Sequence, residues 1–156
     1  MNAKNFFVLL MINLMLGLLQ INVFPEFVGK TFYINFIFSL GFALLLLDRT
    51  QDAYVSTLIG GLIVDMLGVD IIGLSTFIML LLLVSTFYAS RLFFRGKSFK
   101  MLLILIANML FNFIVLHPHF SFNGQLFVSG ILNLVVVFIT YLILQMFQIK
   151  HDRYKL

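Results

Sequence analysis

The chain has 156 residues, 62% of them hydrophobic and only 10% charged, and a mean hydropathy of +1.12, well beyond the composition of a soluble domain. Its apolar residues fall in long blocks separated by short polar stretches, which excludes a separate soluble domain and predicts residues 1–156 as a single membrane domain. The absence of cysteine excludes disulfides, thiolate metal sites and cysteine nucleophiles, and the net charge is +4. In such a chain a basic excess reports which loops stay cytoplasmic, not a nucleic-acid partner.

Six segments are long and apolar enough to be read as membrane crossings of about 20 helical residues each. They run approximately from Asn5 to Phe24, Thr31 to Leu47, Ala53 to Leu67, Ile71 to Phe93, Met101 to His117 and Leu126 to Ile149. The fold class predicted is therefore all-α, a polytopic integral membrane protein of six transmembrane helices. The first segment follows Lys4 but lacks a small-x-small cleavage pattern, so it reads as an uncleaved helix. Pro25 to Lys30 breaks the chain after it, because proline cannot continue the helical ladder. Asp48 to Asp52, Gly68 to Gly73, Phe94 to Lys100 and Pro118 to Gln125 supply the other breaks. The third segment is the shortest and least apolar of the six.

Six crossings put odd and even loops on opposite sides. Lys4, Arg49, Arg91, Arg95, Lys97, Lys100, Lys150, Arg153 and Lys155 then share one side, and Lys30 alone lies on the other. The basic side is cytoplasmic by the positive-inside rule, so both termini are expected inside. Glu26, Lys30, Asp70, His117 and His119 face out. Membrane lipids are the surroundings this implies, with the basic Arg91 to Lys100 stretch beside anionic headgroups.

The third segment carries a carboxylate, Asp65, in a run that otherwise reads as lipid-soluble helix. A charge there normally faces protein, a water-filled cavity or the interface. Thr57, Gly61 and Asp65 are four apart and share a face, and Ser56 with Gly60 forms an adjacent small-xxx-small pair, which allows close helix approach. Three roles are open to Asp65: a structural contact at a helix end, which could accept hydrogen bonds from amides after Gly68; a contact with another subunit; or an ion relay. At 1.5 Å per residue it lies about 18 Å along from Ala53, near the outer loop, which favours the helix-end contact.

Asn13, Gln20, Asn35, Asn108, Asn112 and Asn133 also sit within apolar segments, and interhelical amide hydrogen bonds account for them. His117-Pro118-His119 lacks a third ligand, so no metal site is expected. Gly96-Lys97-Ser98 imitates a phosphate loop, but Arg91 stands where its first glycine belongs. The interior serines and threonines have no histidine on their side of the membrane for nucleophilic catalysis. Neither an enzyme nor a cofactor is expected.

Taken in order, these features resemble the MreD family of small rod-shape-determining membrane proteins of bacteria. The resemblance runs through Gly17-Leu18-Leu19-Gln20-Ile21-Asn22-Val23-Phe24-Pro25, then Tyr33-Ile34-Asn35, then Gly61-Leu62-Ile63-Val64-Asp65 followed by Gly73-Leu74. Tyr33 and Ile34 depart from the proline that the family often places ahead of its Asn or Asp. The resemblance implies a non-enzymatic scaffold in the bacterial cytoplasmic membrane, a partner of an MreC-like single-span protein, supporting lateral peptidoglycan synthesis. Through that partner it implies indirect association with MreB, RodA and the transpeptidase of RodA. It assigns no catalytic residue, and Gln20, Asn35, Thr57, Gly60, Gly61, Asp65 and Gly73 are the candidates for partner contact or packing. The alternative class is the substrate-binding subunit of an energy-coupling-factor vitamin transporter. Such subunits carry an alanine-xxx-alanine motif on the first helix, and Phe6 to Leu19 contains no alanine.

Overall fold

A computed structural model describes residues 3–23, 34–67, 73–92, 97–116 and 124–153. The described residues form an all-α fold of six helices: α1 Ala3–Leu18, α2 Phe36–Leu46, α3 Thr50–Leu67, α4 Leu74–Leu92, α5 Lys97–Leu116 and α6 Gly124–Arg153. A π-helical turn, Leu19–Val23, widens the end of α1. The fourth and sixth helices, over Leu74–Leu92 and Val128–Phe147, are long and apolar enough to cross a membrane. Phe6–Asn22, Phe36–Leu46 and Lys100–Phe111 are shorter apolar helices.

The central helix is α2, which packs against each of the other five. All but its first residue are buried. Phe38 stacks on Phe111 of α5 at 5.1 Å and meets Phe42 edge-on at 4.5 Å, and Met79, Leu83, Ile104 and Val137 complete the core around them. Around α2 the neighbours follow in the order α1, α3, α4, α5, α6, each packed on the next along α1–α3–α4–α5–α6.

Several boundaries differ from the expectation, α3 starting at Thr50 and α6 running on to Arg153 among them. The second helix begins at Phe36, not Thr31, and its 11 residues make it shorter than the 18-residue α3, reversing the expected order of lengths. The cause is Asn35, which is extended (φ −104°, ψ 93°) and turns its side-chain oxygen onto the Phe38 N–H as an N-cap, fixing the start of the helix there. In the turn after α2, Asp48 takes a left-handed φ of 58°. The Arg49 N–H reaches the Leu44 carbonyl and the Asp48 N–H the Leu45 carbonyl, at 3.0 and 3.1 Å, a Schellman closure that satisfies the helix end. The fifth helix starts at Lys97, so half of the expected fourth loop is helical. Pro25, Glu26, Lys30, Asp70, Gly96, His117, Pro118 and His119 lie outside the described residues.

Polarity is distributed inside out. Asn13, Asn35 and Asn133 are fully buried, while Met15 and Leu92 are 70% and 77% exposed, with large apolar side chains outward on α1, α3, α4, α5 and α6. Among the described residues an exterior of this kind is compatible with hydrocarbon surroundings. Asp48 and Lys100 pair at 2.9 Å, which puts the α2–α3 turn and the start of α5 at one end. The junction of α3 with α4 is at the other.

Candidate functional site

The N-terminus of α4 needs acceptors for its first N–H groups. Its N-cap position is Gly73, which has no side chain to supply one and sits at φ +92°, a conformation that favours glycine. The Phe77 N–H closes the first helical turn onto the Gly73 carbonyl at 2.9 Å. The missing cap comes from the preceding helix. Asp65 Oδ2 accepts the Gly73 N–H at 3.0 Å, the Thr76 N–H at 3.1 Å and the Thr76 hydroxyl at 2.5 Å. One carboxylate oxygen thus does for α4 what an N-cap side chain ordinarily does for its own helix, at the end where the helix dipole favours negative charge. Asp65 is 2% exposed, and its Oδ1 has no hydrogen-bond partner among the described residues.

Contact this close requires the glycine one turn earlier. A Cβ on Gly61 would lie 2.9 Å from the Thr76 Cα and 2.8 Å from its hydroxyl, so the backbones of α3 and α4 meet where a side chain would hold them apart. One turn further, the Thr57 hydroxyl occupies the space over Gly41 of α2 where a Cβ would stand. The face Thr57–Gly61–Asp65 is therefore filled from inside the chain, by α2 and α4. The adjacent face is filled as well. A Cβ on Gly60 would strike Ile37 and Asn13, and the Asn13 amide and Ser56 hydroxyl exchange hydrogen bonds at 2.9 and 3.2 Å.

Gln20 and Asn35 meet at a second place, the buried start of α2. Gln20 Oε1, in the π-helical turn, accepts the Phe36 N–H at 3.1 Å. Asn133 Oδ1 on α6 accepts the Asn35 N–H at 2.8 Å, and the Asn35 amide N–H points to Met79 Sδ on α4 at 4.0 Å. With the Asn35 cap on Phe38, three side-chain carbonyls serve N–H groups of one helix start. Asn133 also donates to the Ser129 carbonyl at 3.0 Å. Asn108, expected to bond between helices, instead donates to the Ile104 carbonyl of its own helix at 2.9 Å.

The seven candidates thus divide into two clusters, Gln20 with Asn35 and the α3 stripe with Gly73. Sequence reasoning did not count Ser56, Thr76, Met79 or Asn133 among the site candidates. Thr76 was within reach, since a threonine three residues after a glycine N-cap stands at N3, where capping groups act. Met79 carries no such signal. Among the described residues no three His, Asp or Glu side chains gather as a metal site. An apolar groove of about 210 Å³ lies between the end of α2 and helices α5 and α6, lined by Leu46, Met101, Leu134, Val135, Val137 and Phe138. Compared with protein-family models, with curated proteins and with solved structures, the chain matches none.

Proposed function

We propose that the chain is a six-span protein of the bacterial cytoplasmic membrane with both termini inside, and that it acts as a non-enzymatic scaffold of the cell-elongation machinery, as its resemblance to the MreD family implies. Its partner in this reading is an MreC-like single-span protein, and its role is to support lateral peptidoglycan synthesis.

The observation that carries the scaffold reading is the use made of the buried polar groups. Asp65, Asn13, Gln20 and Asn133 each bind backbone or side-chain groups of a neighbouring helix, and Asn35 caps its own. These bonds set helix rotation and register and build a rigid frame. A solute carrier would turn such groups toward a cavity. The half-length α2 invites comparison with the interrupted helices of transporters, whose N-termini face anionic substrates. Here the N–H groups of Asn35, Phe36 and Phe38 are already bound by three amide oxygens, which weighs against the vitamin-transporter alternative. Partner contact falls to the outward apolar faces, since the small-residue faces of α3 are occupied internally.

Affinity purification of the full chain from a rod-shaped bacterium, with an MreC-like protein co-expressed, tests the proposal. Stoichiometric co-elution is the expected result. Elution of the chain alone, together with thermal stabilisation by a vitamin at saturating concentration, would overturn it in favour of transport.

A further inference from the structure

At the end of the protein opposite Asp65, α3 and α4 bring together a cationic and aromatic cluster, of which Tyr54 and Phe87 pack partly against the core. Arg91, in the last turn of α4, lays its guanidinium over the Phe87 ring at 4.4 Å. Tyr54, one turn into α3, meets that ring edge-on at 6.2 Å, and Tyr88 does so at 5.5 Å. The Tyr54 phenol lies within electrostatic reach of both Arg91 and Tyr88. Of the other basic side chains described, Arg49 is paired with Asp52 and Lys100 with Asp48. Arg91 has no acidic partner among the described residues, and neither phenol has a hydrogen-bond partner there. The Phe87 ring covers one side of the guanidinium, and among the described residues no acceptor meets its N–H groups, an arrangement that suits a phosphate oxygen pair.

The surroundings specify where that phosphate comes from. From Tyr88 the outer face of α4 continues through Val84, Leu81 and Phe77, respectively 37%, 52% and 65% exposed. This apolar column runs from the polar cluster along α4 toward its opposite end, and the cluster itself is on the side where nine of the ten basic residues of the chain are expected. A molecule with an anionic head and long apolar tails matches both parts. We propose that Arg91, Tyr88 and Tyr54 form a binding site for the phosphate of an anionic phospholipid of the inner leaflet, with its acyl chains lying along Val84 and Leu81. The site turns the general attraction of a basic loop for anionic headgroups into a defined position. It rests on the membrane part of the function proposed above and not on the identity of the protein partner.

The test uses native mass spectrometry of the full chain in detergent, titrated with dioleoylphosphatidylglycerol, dioleoylphosphatidylcholine or inorganic phosphate. The wild type is expected to bind phosphatidylglycerol in preference to phosphatidylcholine, and Arg91→Gln to lose about five- to tenfold of that affinity, as expected for one cation near a headgroup or hydrogen-bonded to it. Tyr88→Phe keeps the ring and should lose about two- to threefold, and phosphatidylcholine, whose phosphate charge is offset by its choline cation, should lose less in both variants. Equal phosphatidylglycerol affinity in wild type and Arg91→Gln overturns the proposal, as does competition by inorganic phosphate at equal concentration, which would make the ligand a free anion. Carbonate-resistant retention in membranes is measured alongside. Retention without lipid preference would remove the site and leave the membrane reading standing, whereas release by carbonate would remove both.

Discussion

Asp65 and Thr76 are joined by two hydrogen bonds to a single carboxylate oxygen, one from the Thr76 backbone and one from its hydroxyl. The acid closes one helix onto the start of the next, and the carboxylate in an apolar stretch is thereby explained as a cap.

Replacing that cap should weaken the fold while leaving the fold itself in place. Asp65→Ala strips an acceptor from two N–H groups and a hydroxyl, and should cost about 2–4 kcal/mol, more than an ordinary N-cap. Asp65→Asn retains one acceptor oxygen and should cost about half as much. Thermal unfolding in detergent measures both. A shift below about 0.5 kcal/mol for Asp65→Ala would show that the cap contributes nothing. A double-mutant cycle with Thr76→Val should reveal coupling, and strict additivity would contradict the contact.

The glycines separate by what they face. Gly61→Ala sets a methyl group against the α4 backbone at Thr76 and should destabilise by about 1–3 kcal/mol. Gly130→Ala meets only the Met109 side chain, nearest at Cγ and 2.9 Å away. A methionine can move aside, and the better helix propensity of alanine, worth about 1 kcal/mol, should leave the change near neutral. Equal loss at the two sites in a melting comparison would overturn this distinction.

At the start of α2 the acceptors come from other helices. Asn133→Leu should leave the Asn35 N–H without its partner in a dry interior, a loss of about 1–3 kcal/mol. Hydrogen exchange at the Asn35 amide should accelerate more than exchange at Leu44. Uniform acceleration along α2 would indicate global loosening instead.

Topology is open to a direct measurement. Alkaline phosphatase fused near Asn123 should be active and the same enzyme fused at Leu156 inactive, following the distribution of Lys and Arg. Activity at Leu156 would invert or break the six-span arrangement.

Much of the arrangement can be read from residue order, and the exceptions have a common cause. Hydropathy locates α4 and α6 well because their apolar runs are long, and the four-residue spacing of Thr57, Gly61 and Asp65 announces a closely packed face. Spacing cannot say which helix fills that face. The answer depends on Thr76 and Gly41, which lie on different helices. The start of α2 is illegible for a similar reason. Phe32, Tyr33 and Ile34 are as apolar as the residues after them, so hydropathy runs on past the boundary; Asn35 gives only the local signal of a preferred N-cap residue, and the acceptor of its N–H is 98 positions away. The π-helical turn at Leu19–Val23 has no compositional mark, although Gln20 within it is a polar residue that apolar surroundings do not explain.

The capping of α2 by distant side chains has a consequence for the order in which the protein can be built. When ribosomal synthesis has delivered only the first two segments, Gln20 is present to receive the Phe36 N–H, but Asn133 has not been made. A helix of 11 residues spans about 17 Å, roughly half the hydrocarbon thickness, and an unpaired N–H there is costly in lipid. On the six-span reading proposed above, the second segment waits in the translocation channel or at the interface until α6 arrives, and the last helix to be synthesised completes the seat of the central one. Chains truncated before Asn133 should be degraded early even though five of the six helices are intact, which pulse-chase labelling of such truncations would reveal.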